Sequence, residues 1–190
     1  MLRQFQFWPN ALNSDQVDQI VSNLDQMLTL EDSKVGFLKR DDNELRHCKV
    51  GWLNVKDPNV KPVIDMLWHY ADLANRESFG FDISSMYDVQ YTVYDGVDED
   101  HYDWHHDTFW AGPTAFDRKV SLSIQLTDPS EYEGGDLEFA EMKEGTYDKD
   151  AWKGKGTVIA FPSVIRHRVT PVTSGVRKSL VAWVEGPKFR

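Results

Sequence analysis

Two histidines, an aspartate and an arginine stand at spacings that suit one kind of chemistry: His105, Asp107, His167 and Arg177. Two imidazoles and a carboxylate can bind a ferrous ion and leave half of its coordination sphere open. An arginine offers a rigid, planar fork of N–H donors that grips a carboxylate with two parallel bonds. Arg177 follows His167 by ten residues, where it suits the far carboxylate of a long dicarboxylic co-substrate. An open iron site beside a dicarboxylate clamp points to an oxygenase that consumes 2-oxoglutarate.

His-x-Asp alone is weak evidence. With 6 histidines and 31 acidic residues among 190, such a triplet is expected by chance, and His101-Tyr102-Asp103 is a second one. His105 and Asp107 are preferred because they adjoin an ordered strand, whereas His101 and Asp103 fall in an acidic stretch. A strand sends residues i and i+2 to the same face, so His105 and Asp107 can share a metal while His106 points away. The third ligand must come from elsewhere. His167 follows the strand predicted over 156–161 by a short turn containing Pro162. Ser179 shares a strand face with Arg177 and can add a hydrogen bond to the same ligand.

The elements that must position these residues fall into two textures. Asn13 or Ser14 caps a helix whose apolar positions Val17, Ile20, Val21, Leu24, Met27 and Leu28 follow helical spacing. A second helix is expected over about 57–76, with Pro58 and Pro62 near its start and Val63, Met66, Leu67, Tyr70 and Ala74 as its buried stripe. Residues 46–55 read as a strand between them. From residue 83 onward short strands alternate with turn residues: 86–94, 102–107, 119–127, 135–139, 156–161, 167–172 and 176–184. Period two is clearest where Val120, Leu122, Ile124 and Leu126 oppose Ser121, Ser123, Gln125 and Thr127. Many short strands punctuated by Gly, Pro and Asp suggest a sandwich or barrel. Residues 95–103 and 141–155 are expected to be loops. Glu99, Asp100 and Asp103 read as a solvated acidic face, or else as an attractor for a basic peptide. Phe109 and Trp110 either line a cleft or pack beneath their loop.

The stretch Tyr102-Asp103-Trp104-His105-His106-Asp107 resembles the ligand segment of the iron- and 2-oxoglutarate-dependent oxygenases, within them the prolyl 4-hydroxylase-like branch. Tyr94-Asp95-Gly96 before it and Gly134-Gly135-Asp136-Leu137 after it are similar to that branch too. So are Phe161-Pro162-Ser163 and Trp183. The closest likeness is His167-Arg168-Val169-Thr170-Pro171-Val172-Thr173-Ser174-Gly175-Val176-Arg177, over eleven residues. The resemblance implies a mainly β fold with flanking helices, a double-stranded β-helix (jelly-roll, cupin-like) with N-terminal helices packed on one sheet. It implies one domain over 1–190, with a helical support layer over about 1–80 and a β-helix core over about 83–186. It implies Fe(II) on His105, Asp107 and His167, 2-oxoglutarate held by Arg177, dioxygen as oxidant, and ascorbate as an optional reductant. Tyr94 would line the co-substrate pocket. Gln125 stands where several relatives carry a tyrosine, and its amide can donate a hydrogen bond in that tyrosine's place. Gly96 is one residue closer to Tyr94 than in the branch, and the loop to His105 is two residues longer.

Composition narrows the function classes. A chain with 41% hydrophobic and 13% aromatic residues can bury a core. A net charge of −10 without a basic run repels phosphate backbones, so no nucleic-acid partner is expected. Cys48 is the one cysteine and fits a reducing compartment. The N-terminal residues lack a signal-peptide core and no apolar run is long enough to span a bilayer, so a soluble cytoplasmic protein is expected. The expected activity is hydroxylation of an aliphatic carbon, in a prolyl residue or similar position of a peptide, protein or small molecule. The rival readings are a cupin-like metal-binding protein without turnover, and an oxygenase acting on nucleic acid.

Overall fold

The long strands carry two alternating patterns, and over their central residues both faces are largely buried. The computed structural model describes residues 5–35, 40–108, 114–140 and 149–189. In chain order its strands and helices are β1 (Gln6–Trp8), α1 (Ser14–Met27), β2 (Glu31–Asp32), β3 (Arg46–His47), β4 (Lys49–Trp52), α2 (Lys61–Ala74), β5 (Ser85–Asp95), β6 (His101–His105), β7 (Phe116–Gln125), β8 (Tyr132–Gly134), β9 (Leu137–Phe139), β10 (Val158–Pro162), β11 (His167–Val169) and β12 (Val172–Pro187). The large sheet runs β1-β10-β7-β12-β5-β4-β2, with β8 also paired to β12; the small sheet runs β3-β6-β11-β9. This is the jelly-roll architecture expected from the sequence.

One face of the large sheet is apolar. Val89 and Tyr91 of β5, Val120, Leu122 and Ile124 of β7, Val158 and Ala160 of β10, and Leu180, Ala182 and Val184 of β12 join a core with Val17 and Leu24 of α1 and Leu67, Ala71 and Ala74 of α2. The Tyr91 hydroxyl donates to Asp25 Oδ1 at 2.7 Å and Lys178 Nζ reaches Asp25 Oδ2 at 2.8 Å, which pins α1 across that face. The alternate residues, Gln90, Thr92 and Tyr94, Ser121, Ser123 and Gln125, Arg177 and Ser179, are equally buried but mostly polar. That face looks inward, toward the small sheet. Alternation with both faces covered therefore sorts the chain into a support face and a working face.

The helices have local causes. Asn13 accepts from the Gln16 amide while the Gln16 side chain accepts from the Asn13 amide, a full capping box for α1. α2 begins at Lys61 rather than 57. Asn54 and Asp57 side chains accept from the backbone amides of Lys56 and Asn59 and hold 54–60 as turns, and Pro62 presets the first helical turn. A π-helical turn, Asn75–Phe79, extends α2 to Gly80, whose φ of +68° stops it.

Four expectations change. The predicted strand 102–107 ends at His105, so Asp107 lies past it. The predicted 167–172 strand breaks after Val169, and Pro171 separates it from β12. Asp100 is buried, not solvated: it pairs with His47 Nδ1 at 2.5 Å and accepts from the Asp95 amide at 2.9 Å. Within the segment expected as a loop over 141–155, Trp152 is buried against Phe5, Phe7 and Phe139. Phe109, Trp110 and residues 141–148 lie outside the described residues. No helix among the described residues is long and apolar enough to cross a membrane.

Candidate metal centre

Sheet register brings two of the ligands together. β11 pairs with β6 so that His167 stands directly opposite His105, and their rings lie 4.2 Å apart. Asp107 arrives by a different route. Beyond the end of β6 its amide donates to Ser163 O at 2.9 Å, in the turn after β10, which swings the carboxylate back between the imidazoles. Asp107 Oδ1 lies 3.7 Å from His105 Nε2, and Oδ2 lies 3.6 Å from His167 Nε2. One ligand atom from each residue falls within 4.8 Å of the others, so the three can hold one metal ion. His101 and Asp103 do not join them; His101 lies against the carbonyls of Glu99 and Glu44.

The surroundings prepare these donors. His105 Nδ1 lies 2.7 Å from Asp103 O, and His167 Nδ1 lies 2.9 Å from Ile165 O. A carbonyl accepts only from N–H, so both rings carry their proton on Nδ1 and turn a bare Nε2 toward Asp107. Burial, with the neighbouring His167, pushes the His105 imidazolium down to about 3, so the ring is neutral and ready to ligate. Burial alone would raise Asp107, but the two imidazoles, Arg118 and a 2.6 Å bond from Ser121 Oγ hold it down at about 2. Ser163 Oγ lies 2.9 Å from Ser121 Oγ and completes that shell. The Tyr102 ring stacks on His105 with centroids 3.4 Å apart and fixes its plane.

Arg177 lies on the working face of β12, 2% exposed. Its Nη2 donates to Gln125 Oε1 at 2.9 Å and its guanidinium sits 5.3 Å from the Tyr94 ring. Gln125 thus turns its carbonyl to the arginine, and its amide nitrogen reaches Ser123 Oγ at 3.4 Å. Among the described residues, Arg177 Nε and Nη1 are buried and have no hydrogen-bond partner. Leaving a buried charge uncompensated costs about 3–5 kcal/mol, and a fork in this state is suited to an anionic ligand. Gly135 leaves room for the arginine's own side chain, since a Cβ there would stand 2.7 Å from Arg177 Cδ. Tyr94, Gln125's neighbour Ser123, Ser179 and Arg177 line the same cavity as His105, Asp107 and His167.

Sequence reasoning did not single out Ser121, Arg46 or Gln90. Arg46 is buried in this cavity and donates through Nη2 to Gln90 Oε1 at 2.9 Å and through Nε to Cys48 Sγ at 3.3 Å. The available signal is alternation: Arg46 falls in phase with Cys48 and Val50, both buried, so it points inward.

The profile of the 2OG-Fe(II) oxygenase superfamily matches residues 89–185, from β5 through β12. The chain belongs to that superfamily. Membership brings Fe(II), 2-oxoglutarate and dioxygen as cofactors and reactants, and a donor set of two imidazole nitrogens and one carboxylate oxygen is one that ferrous iron takes. Over 85 residues the chain is 39% identical to a PKHD-type hydroxylase of Gloeothece citriformis, covering 44% of this chain and 37% of that protein. Over 71 residues it is 41% identical to a PKHD-type hydroxylase of Aliarcobacter butzleri, covering 37% and 30%. The match thus spans about a third of the length of these relatives. The fold is shared with a viral collagen prolyl hydroxylase of Paramecium Bursaria Chlorella virus-1, at a TM-score of 0.71 and 18% identity over 97% of both chains. It is shared equally with a Pseudomonas putida prolyl-4-hydroxylase, at 0.71 and 16% over 97% of this chain and 94% of that one.

Proposed function

We propose that this oxygenase is a 2-oxoglutarate-dependent dioxygenase that hydroxylates an aliphatic carbon, in a prolyl residue or similar position of a peptide or protein. The observation that carries the reading is Arg177, which lines the cavity of the His105–Asp107–His167 cluster and has two buried nitrogens without partners among the described residues. A metal site by itself has no use for a buried guanidinium there; a keto acid bound at the metal and carrying a second carboxylate does. The hydroxylase names of the relatives and the prolyl hydroxylase neighbours support the choice of substrate.

When bound, iron and 2-oxoglutarate supply the oxidant, with dioxygen consumed, succinate and carbon dioxide released, and one oxygen atom delivered to the substrate. The chain's own part is positional. His105 and His167 present Nε2, and Asp107 presents an oxygen steadied by Ser121. Arg177 holds the distal carboxylate, Tyr94 and Ser179 wall the channel that leads to it, and Gln125 keeps the guanidinium in line. Leu137, Phe161 and Val169 give the cavity apolar walls that exclude water from the reacting carbon.

The test is succinate release from 2-oxoglutarate by the iron-loaded protein. Arg177→Ala should lower kcat/KM for 2-oxoglutarate by roughly a hundredfold or more while iron is still bound, as expected for loss of a buried charge pair. Turnover retained in that variant removes the clamp from the mechanism.

A further inference from the structure

The cavity holds a second buried guanidinium that the co-substrate does not use. Arg46 is 7% exposed, yet its hydrogen-bond partners are a neutral amide, Gln90 Oε1, and a weakly accepting thiol, Cys48 Sγ. Among the described residues it has no carboxylate partner. Among the described residues Asp107 is the one carboxylate lining the cavity, and it belongs to the metal cluster. With the ferrous ion and dianionic 2-oxoglutarate bound, those two charges cancel, as do Asp107 and Arg177. The charge of Arg46 is left over. Its guanidinium lies over the Tyr102 ring, 4.5 Å from the centroid, and that ring's stacking on His105 puts Arg46 beside the metal cluster.

A second set of observations concerns the walls around it. Gln90 and Trp183 line this cavity, and among the described residues Gln90 Nε2 and Trp183 Nε1 are buried without acceptors. Gln90 is 1% exposed and its amide is oriented by the bond its oxygen accepts from Arg46. β5 and β12 pair Gln90 with Val181, so Trp183 stands one inward-facing position further along. A guanidinium, an amide N–H and an indole N–H form a surface of donors, and its natural ligand is rich in acceptors and negatively charged.

We infer that Arg46, with Gln90 and Trp183, is the substrate's anchoring site and that the molecule hydroxylated here carries a carboxylate close to the carbon that reacts. The inference rests on the hydroxylase reading above and deepens it by naming the substrate class. The carboxylate has two sources: the α-carboxylate of an unblocked amino or imino acid, or an acidic side chain beside the target residue in a peptide.

Binding is measured by calorimetry on the iron- and 2-oxoglutarate-loaded protein without dioxygen. One pair of probes is L-proline and L-prolinamide; the other is a blocked peptide containing Pro-Glu and its Pro-Gln counterpart. The wild-type protein should bind the carboxylate member of one pair at least tenfold more tightly, and the pair that discriminates identifies the source. Arg46→Gln should bring that ratio close to one. Gln90→Glu sets a carboxylate against Arg46 inside the protein and should do the same; it serves as the test should the first variant not fold. Equal binding within both pairs by the wild type, or a ratio that persists in both variants, overturns the inference. Failure to form succinate in air defeats the hydroxylase reading instead, while the ratio measured without dioxygen still decides this one.

Discussion

At the scale of single residues, the site depends on hydrogen bonds that keep three donors aimed at one point. Ser121 is the clearest case: it is fully buried and its hydroxyl reaches Asp107 Oδ2 at 2.6 Å. Ser121→Ala removes that donor without changing a ligand. Metal affinity should drop by about 10–100-fold, the usual cost of losing an outer-shell partner, with the secondary structure unchanged. Competition with a metal-binding dye measures it, and affinity equal to wild type would show that the bond from the Asp107 amide to Ser163 O is enough to position the carboxylate. The protons on Nδ1 of His105 and His167 are held by backbone carbonyls, so no side-chain substitution removes them.

At the scale of elements, the turn between β8 and β9 governs the clamp. Gly135 has φ of +60°, and a Cβ there would meet Arg177 Cδ at 2.7 Å. Gly135→Ala should therefore do two things. Backbone strain should cost about 1–3 kcal/mol, and displacement of Arg177 should raise KM for 2-oxoglutarate by roughly tenfold to a hundredfold, the scale of a misplacement near 1 Å. Gly80 is the control: its φ is +68°, but a Cβ there meets nothing within 4 Å. Gly80→Ala should lower the unfolding free energy and leave KM alone. An equal rise in KM for both variants would mean that strain, not steric contact with Arg177, is responsible. Gly175, at φ +71° two residues before Arg177, plays a related part, because its backbone packs against Glu131 where β12 passes from β8 to β5 and β7.

At the scale of the whole molecule, the large sheet separates stability from chemistry. Its outer face joins α1 and α2 in the apolar core, and its inner face lines the cavity. Leu67 is fully buried on the outer side. Leu67→Ala should cost about 2–5 kcal/mol, read from denaturant unfolding, as a large-to-small core substitution does. Metal affinity measured well below the unfolding transition should stay near that of the wild type. A comparable loss of metal binding would show that helix packing is transmitted through the sheet to the ligands.

Much of this was legible from residue order. Period-two alternation in β5, β7 and β12 identifies the buried faces, because a strand's geometry is local and repeats every two residues. The helical spacing and Asn13 cap locate α1 in the same way. His105, Asp107, His167 and Arg177 were readable as types at spacings that suit one metal and one dicarboxylate. Their convergence was not, since it depends on the register that sets His167 opposite His105 and on a bond from Asp107 to a turn in a distant part of the chain. Contacts between residues far apart have no period in the sequence. Ser121 on Asp107, Gly135 against Arg177, Arg46 beside Gln90 and Trp152 among the N-terminal phenylalanines were therefore decided by sheet packing alone.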